Sequence, residues 1–268
     1  MRQALAEDIG TGDITTLATI DPRLTAHGIF VAKSEGVLAG LPVLEEVFEQ
    51  VDYELEWTGF LTDGAKVHPG MQIGEVFGRA QSILIAERVV LNFLQRLSGI
   101  ATKTAQMVEL VAGTRARIVD TRKTTPGLRA LEKYAVRQGG GYNHRAGLYD
   151  AVMIKDNHII ASGGIRQAVQ RVHTQVSHTI TVTVECDTLE QVSEALSAEA
   201  DVLLLDNMSL AELEVAVQLI NKQALAEASG GVNEQTVRSI AETGVDIISV
   251  GALTHSAPAL DISLDLEL

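Results

Sequence analysis

From residue 116 onward one pattern repeats: a short apolar run rich in β-branched residues ends on a polar residue or glycine, and a helical spacing usually follows. The runs cover 116–120, 151–155, 180–185, 202–206, 224–227 and 246–251, and the helical spacings cover 165–172, 189–196, 210–220 and 234–243. Runs that are apolar on both faces suit strands covered by helices, which implies a parallel sheet. Six such units are too few to close an eight-unit barrel, so the pattern predicts an α/β fold with a six-stranded open, incomplete TIM-like barrel. A doubly wound open sheet is the alternative. Both architectures carry their site at the carboxyl ends of the strands. Those ends are Asp120, Lys155, Glu185, Asp206, Glu227 and Gly251, and five of the six are charged, an odd choice unless they surround something.

Residues 1–110 lack this rhythm and form a separate N-terminal domain, with the barrel over 111–253. Strand-like stretches cover 28–33, 36–40, 53–57 and 72–77, a helical pattern runs through Leu44, Val47, Phe48 and Val51, and 63–70 holds the Gly and Pro of tight connections. From 82 to 111 apolar residues recur at helical spacing, but Gly99 falls in the middle, which predicts two helices or a bent one. The single cysteine, Cys186, excludes an internal disulfide framework and a Cys-only zinc site. The acidic start at Glu7-Asp8 does not read as a signal peptide, and no apolar run approaches the ~18 residues of a membrane span. A cytoplasmic protein is the expectation.

The net charge of −14 argues against nucleic acid or an anionic membrane as a partner. Yet between Arg115 and Lys155 nine cations face only three anions, so this stretch carries +6 inside an acidic chain. Such a concentration suits an anionic small molecule, although a solvated basic helix face would leave the same count. Within it, Thr121-Arg122-Lys123 leaves a strand; Arg122 offers a planar fork for carboxylates and Lys123 a compact charge. Gly139-Gly140-Gly141 leads into Asn143-His144-Arg145, where backbone N–H groups can approach an anion and His144 can donate to a substrate oxygen. Lys155 is either an anion ligand or a Schiff-base nucleophile, and neighbouring Asp156 disfavours the latter. Glu185 and Asp206, on consecutive strand ends, suit Mg²⁺, ribose hydroxyls, a developing cation, or a structural pairing with site lysines. The turns at Ser229-Gly230-Gly231 and Val250-Gly251-Ala252 are candidate phosphate sites, the first expected to open a helix.

Taken in order, the segments 120–124, 133–137, 139–145, 154–158, 205–207, 229–231 and 250–254 resemble those of nicotinate-nucleotide pyrophosphorylases, or quinolinate phosphoribosyltransferases, which are type II phosphoribosyltransferases. The resemblance runs from about residue 5 to 264, starting at what corresponds to the middle of the family's first helix. It departs at Thr183, where a second glutamate would be expected. It implies an N-terminal α/β sandwich, with the tail over 254–268 returning to it, beside the open barrel. It implies transfer of phosphoribosyl from phosphoribosyl pyrophosphate to quinolinate, with decarboxylation to nicotinate mononucleotide and with Mg²⁺ as cofactor. It also implies a homodimer or larger assembly in which Arg88 completes the partner's site. By the same resemblance Arg122, His144, Arg145, Lys155 and Arg88 hold the quinolinate carboxylates, with Thr121 beside them. Lys123 would lie between substrate and phosphates, Glu185 and Asp206 would meet Mg²⁺ or ribose, and the 229–231 and 250–252 turns the 5′-phosphate. A molybdenum-associated paralogue on the same scaffold and a Schiff-base lyase using Lys155 are the alternatives.

Overall fold

A computed structural model describes all of residues 1–268. In chain order the first part holds α1 (Arg2–Ile9), α2 (Ile14–Thr19), β1 (Thr25–Ala32), β2 (Gly36–Val37), α3 (Leu41–Val51), β3 (Glu56–Gly59), β4 (Lys66–Val67), β5 (Gln72–Arg79) and α4 (Ala80–Leu110). Next come β6 (Arg117–Val119), α5 (Arg129–Gln138), β7 (Val152–Ile154), α6 (Asp156–Ser162), α7 (Ile165–Gln175), β8 (Val182–Cys186) and α8 (Leu189–Ser197). The chain ends with β9 (Val202–Asp206), α9 (Leu210–Ile220), β10 (Leu225–Ser229), α10 (Val237–Glu242), β11 (Ile247–Ser249), α11 (Ala252–His255) and β12 (Ile262–Glu267). Two compact units emerge: Met1–Ala105 with Arg137–Gly140 and Ala257–Leu268, and Gln106–Val136 with Gly141–Ser256.

The first unit is an α/β sandwich. Its main sheet has the order β12-β1-β5-β3, with β1 antiparallel to both β5 and β12. One face of α3 buries Leu44, Val47 and Phe48, and Phe48 meets Phe30 of β1 with ring centroids 6.2 Å apart. Trp57 of β3 stands edge-on to Phe30 at 5.5 Å. Each such buried side chain contributes about 1.5–3 kcal/mol. Asp52, just past α3, is gripped by Arg79 through two 2.8 Å hydrogen bonds and by the Ser82 hydroxyl at 2.6 Å. The Arg79 bonds, against the opposing effect of burial, hold the Asp52 carboxyl at about 2.

Residues 80–110 form one helix running through Gly99, which removes the two-helix alternative. A Cβ at Gly99 would run into the Pro258 carbonyl oxygen. Glycine is there to let the returning tail press against the helix, not to end it.

The second unit contains six parallel strands in the order β6-β11-β10-β9-β8-β7. The end strands β6 and β7 do not pair with each other, so the barrel is open. Capping boxes at Thr188/Gln191 and Ser209/Glu212 start α8 and α9, and both helices bury one apolar stripe. Parallel registry sets the inner residues in rows. Glu185, Leu204, Glu227 and Ile247 lie level with one another, and Asp206 is level with Ser229 nearer the strand ends. No helix is long and apolar enough to cross a membrane.

Candidate active site

A cavity of about 420 Å³ opens at the carboxyl ends of the parallel strands. Its inner wall comes from the two registry rows: Glu185, Leu204 and Glu227 below, Asp206 and Ser229 above, with Ser249 of β11 beside them. The rest comes from the segments after β6 and around β7: Thr121, Arg122, Lys123, His144, Arg145, Met153 and Lys155. Four cations therefore crowd one side of the cavity and three carboxylates lie along the strands.

The nine cations of the basic stretch divide by task. Arg122, Lys123, Arg145 and Lys155 line the cavity. Arg115 is paired with Asp246, and the Arg117 guanidinium lies 5.1 Å from the Tyr142 ring centre. Arg129 ties two cavity loops together, donating to Thr124 Oγ1 at 2.9 Å and to the Ala146 carbonyl at 3.1 Å. Lys133 is buried and bound to Asp120. Arg137 belongs to the first unit.

Asp120 does not face the cavity, contrary to the expectation that every charged strand end surrounds a ligand. It is wholly buried and works as a brace: one oxygen accepts from Lys133 Nζ and from the His144 backbone N–H at 2.8 Å. Lys133 in turn donates to the His144 carbonyl at 2.9 Å. Burial, outweighing Lys133 and the other hydrogen bonds, raises the Asp120 pKa. The pair thus fixes the backbone of a cavity residue from both sides.

The guanidiniums are left wanting acceptors. Arg122 Nε is buried and has no hydrogen-bond acceptor within the protein. Burial, followed by the like charge of Arg122, lowers the Arg145 pKa, so an anion entering here would relieve both groups. Lys155 is paired with Glu185 across the β7–β8 boundary. Asp206 Oδ2 accepts from the Asn207 side chain at 2.7 Å.

The two glycine turns differ from each other. Gly230 and Gly231 have φ of +93° and +62°, a backbone that favours glycine, but α10 starts only at Val237, so this turn does not open a helix directly. The 250–252 turn does: Gly251 caps α11. A Cβ on Gly251 would come within 2.9 Å of the Lys123 side chain, and Thr254 Oγ1 donates to the Lys123 carbonyl at 2.7 Å. This segment therefore seats Lys123. Of the two turns, only Ser229 lines the cavity. Arg88 belongs to the first unit, where its side chain is exposed on α4.

The sequence places Glu227 among the charged strand ends without giving it a role, and it singles out neither Met153, Leu204 and Ser249 of the cavity wall nor the supporting Arg129 and Lys133, whose only signal is charge.

Models of the quinolinate phosphoribosyl transferase N-terminal and C-terminal domains match residues 13–98 and 100–265. The chain belongs to the quinolinate phosphoribosyl transferase family. A Bacillus subtilis relative named as a probable nicotinate-nucleotide pyrophosphorylase (carboxylating) is 46% identical over 98% of this chain and 90% of its own. The solved structure of NadC from Streptococcus pyogenes superposes with a TM-score of 0.96 at 43% identity, covering 99% of this chain and 94% of that one. The nicotinate-nucleotide pyrophosphorylase of Francisella tularensis gives 0.96 at 42% identity, with the same coverage. Like these family members, the chain pairs an α/β sandwich with an unclosed six-stranded barrel, and it is a phosphoribosyltransferase.

Proposed function

We propose that the protein transfers the phosphoribosyl group of phosphoribosyl pyrophosphate to the ring nitrogen of quinolinate and releases CO₂, giving nicotinate mononucleotide and pyrophosphate. The observation that carries this reading is the pair of cavity guanidiniums: Arg122 with a buried Nε lacking an acceptor, and Arg145 destabilised by burial and by its neighbour. A ligand with two adjacent carboxylates satisfies both.

In this reading Arg122, Arg145, His144 and Lys155, with Thr121 beside them, orient quinolinate. Lys123, seated by Gly251 and Thr254, faces the pyrophosphate. The 5′-phosphate lies by Ser229, Gly230 and Gly231 and by Val250, Gly251 and Ala252. As pyrophosphate leaves, positive charge grows on the ribose, where Glu185 and Asp206 stabilise it. Lys155 exchanges Glu185 for a quinolinate carboxylate, which frees Glu185 for this task. Once nitrogen is alkylated the ring is electron-poor, so the adjacent C–CO₂⁻ bond breaks and the surrounding cations steady the electron pair left on carbon.

No group of three or more His, Cys, Asp or Glu side chains forms a metal cage. Two strand-end carboxylates instead fit Mg²⁺ brought in by substrate phosphates, which keeps water and phosphate among its ligands. Glu185 and Asp206 would hold that ion, whose chemistry is to neutralise the leaving pyrophosphate. We place the enzyme in the cytoplasm as a homodimer or larger homo-oligomer, with Arg88 completing the partner's cavity. The ion pair between Lys155 and Glu185 occupies the amine, which opposes a Schiff-base lyase. The test is to incubate the protein with quinolinate, phosphoribosyl pyrophosphate and Mg²⁺. Nicotinate mononucleotide and CO₂ are expected with quinolinate and not with nicotinate; turnover of nicotinate alone would refute the assignment.

A further inference from the structure

Three of the four polar atoms of His144 have hydrogen-bond partners in the protein. Its N–H donates to Asp120 at 2.8 Å and its carbonyl accepts from Lys133 at 2.9 Å. The Arg145 amide donates to ring Nδ1 at 2.7 Å, so the ring proton lies on Nε2. Nε2 is 3.4 Å from Oε1 of Glu227. Glu227 is only 2% exposed, and that oxygen accepts no hydrogen bond. A buried carboxylate oxygen left this way costs stability, so it is a poor brace for the fold. Its placement is nevertheless fixed, because β10 is paired on both sides and sets Glu227 level with Leu204 and Ile247.

We propose that Glu227 is a positioning residue that acts through His144: the Arg145 amide on Nδ1 sets the tautomer, and the Glu227 carboxylate, facing Nε2–H, holds the ring in one orientation against the ligand. This rests on the reading of His144 as a quinolinate ligand. Outer partners that orient a ligating histidine typically change affinity by 10–100-fold when removed from metal sites, and roughly the lower end is expected here.

The experiment combines steady-state kinetics, thermal melting and ¹⁵N NMR of the histidine ring on wild type, E227L, E227Q, H144A and E227L/H144A. E227L is expected to raise KM for quinolinate by about 10-fold and leave KM for phosphoribosyl pyrophosphate nearly unchanged. It should not lower the melting temperature, and it should move the His144 Nε2 signal, whose N–H loses its acceptor, while Nδ1 stays held by the Arg145 amide. E227Q, which keeps an acceptor oxygen, should recover most of the KM. The double variant should be no worse than H144A, since one residue acts through the other. Multiplicative losses in the double variant would overturn the proposal, as would an unmoved Nε2 signal or a melting temperature that falls without a change at Nε2. If the Nε2 signal moves but H144A leaves the quinolinate KM intact, what fails is the placement of His144 in the quinolinate subsite. If H144A is costly and the Nε2 signal stays put, Glu227 alone is excluded.

Discussion

Lys133→Met isolates the brace beneath the cavity. Lys133 and Asp120 side chains are 6% and 0% exposed, so the substitution leaves a carboxylate inside the protein without its cation and the His144 carbonyl without a donor. A lost hydrogen bond to a charged group costs about 1.5–3 kcal/mol, and an orphaned buried acceptor about 1–3 kcal/mol. Together these predict a loss of about 3–5 kcal/mol, the range found when one partner of a buried ion pair is removed. The loss should depend on pH in a definite direction. Burial raises the folded-state pKa of Asp120 above its unfolded value of 3.8. A folded state that holds a proton more tightly than the unfolded one is favoured at low pH and loses that advantage as pH rises through the folded pKa. Without Lys133 to oppose it, burial raises the folded pKa further, so the Lys133→Met deficit is smallest near pH 4 and grows towards neutrality. Urea unfolding across pH 4–8, with Asp120→Asn/Lys133→Met as the neutral control, measures this. A deficit under about 1 kcal/mol at pH 7, or one that shrinks as pH rises, refutes the reasoning.

Three further outcomes follow from the first unit and from the buried thiol. Arg79→Met removes the bonds that hold Asp52 at about 2 rather than 3.8. Because that folded pKa is depressed, the stabilisation exists above pH 3.8 and disappears as pH falls through about 2. With Arg79 half-exposed, it amounts to about 1–2 kcal/mol, read as a melting difference from wild type that closes on acidification. Gly99→Ala, which in an ordinary helix gains about 1 kcal/mol, should instead lose about 1–3 kcal/mol through its clash with the Pro258 carbonyl, measured by thermal melting. Cys186, buried and with its thiol pushed up to about 12, should resist a thiol reagent in the native protein and react promptly in denaturant.

The barrel was legible because a parallel strand covered by helices advertises itself as an apolar β-branched run, and the charged residues closing those runs marked the cavity rim. The runs ending at Lys155, Glu185 and Asp206 led straight to cavity residues. Asp120 looked identical to them in sequence, because the alternation that turns a side chain inward or outward cannot be phased on a three-residue strand. Its true partner, Lys133, lies on α5, thirteen residues further along the chain. Gly99 misled for a related reason: propensity reports the isolated helix, whereas its neighbour Pro258 lies far along the chain. Nothing local in residues 262–267 names β1 as a partner; the resemblance implies the tail's return, and the structure supplies the pairing across more than two hundred residues.

Calorimetric titration of quinolinate and of nicotinate into wild-type protein and Arg122→Gln tests the central claim, that paired guanidiniums at the barrel mouth recognise two carboxylates. Quinolinate should bind wild type far more tightly than nicotinate, and Arg122→Gln should weaken quinolinate by roughly 10- to 150-fold, the equivalent of one charge-assisted contact. Equal affinities for the two acids, or quinolinate binding untouched by the substitution, would contradict the account.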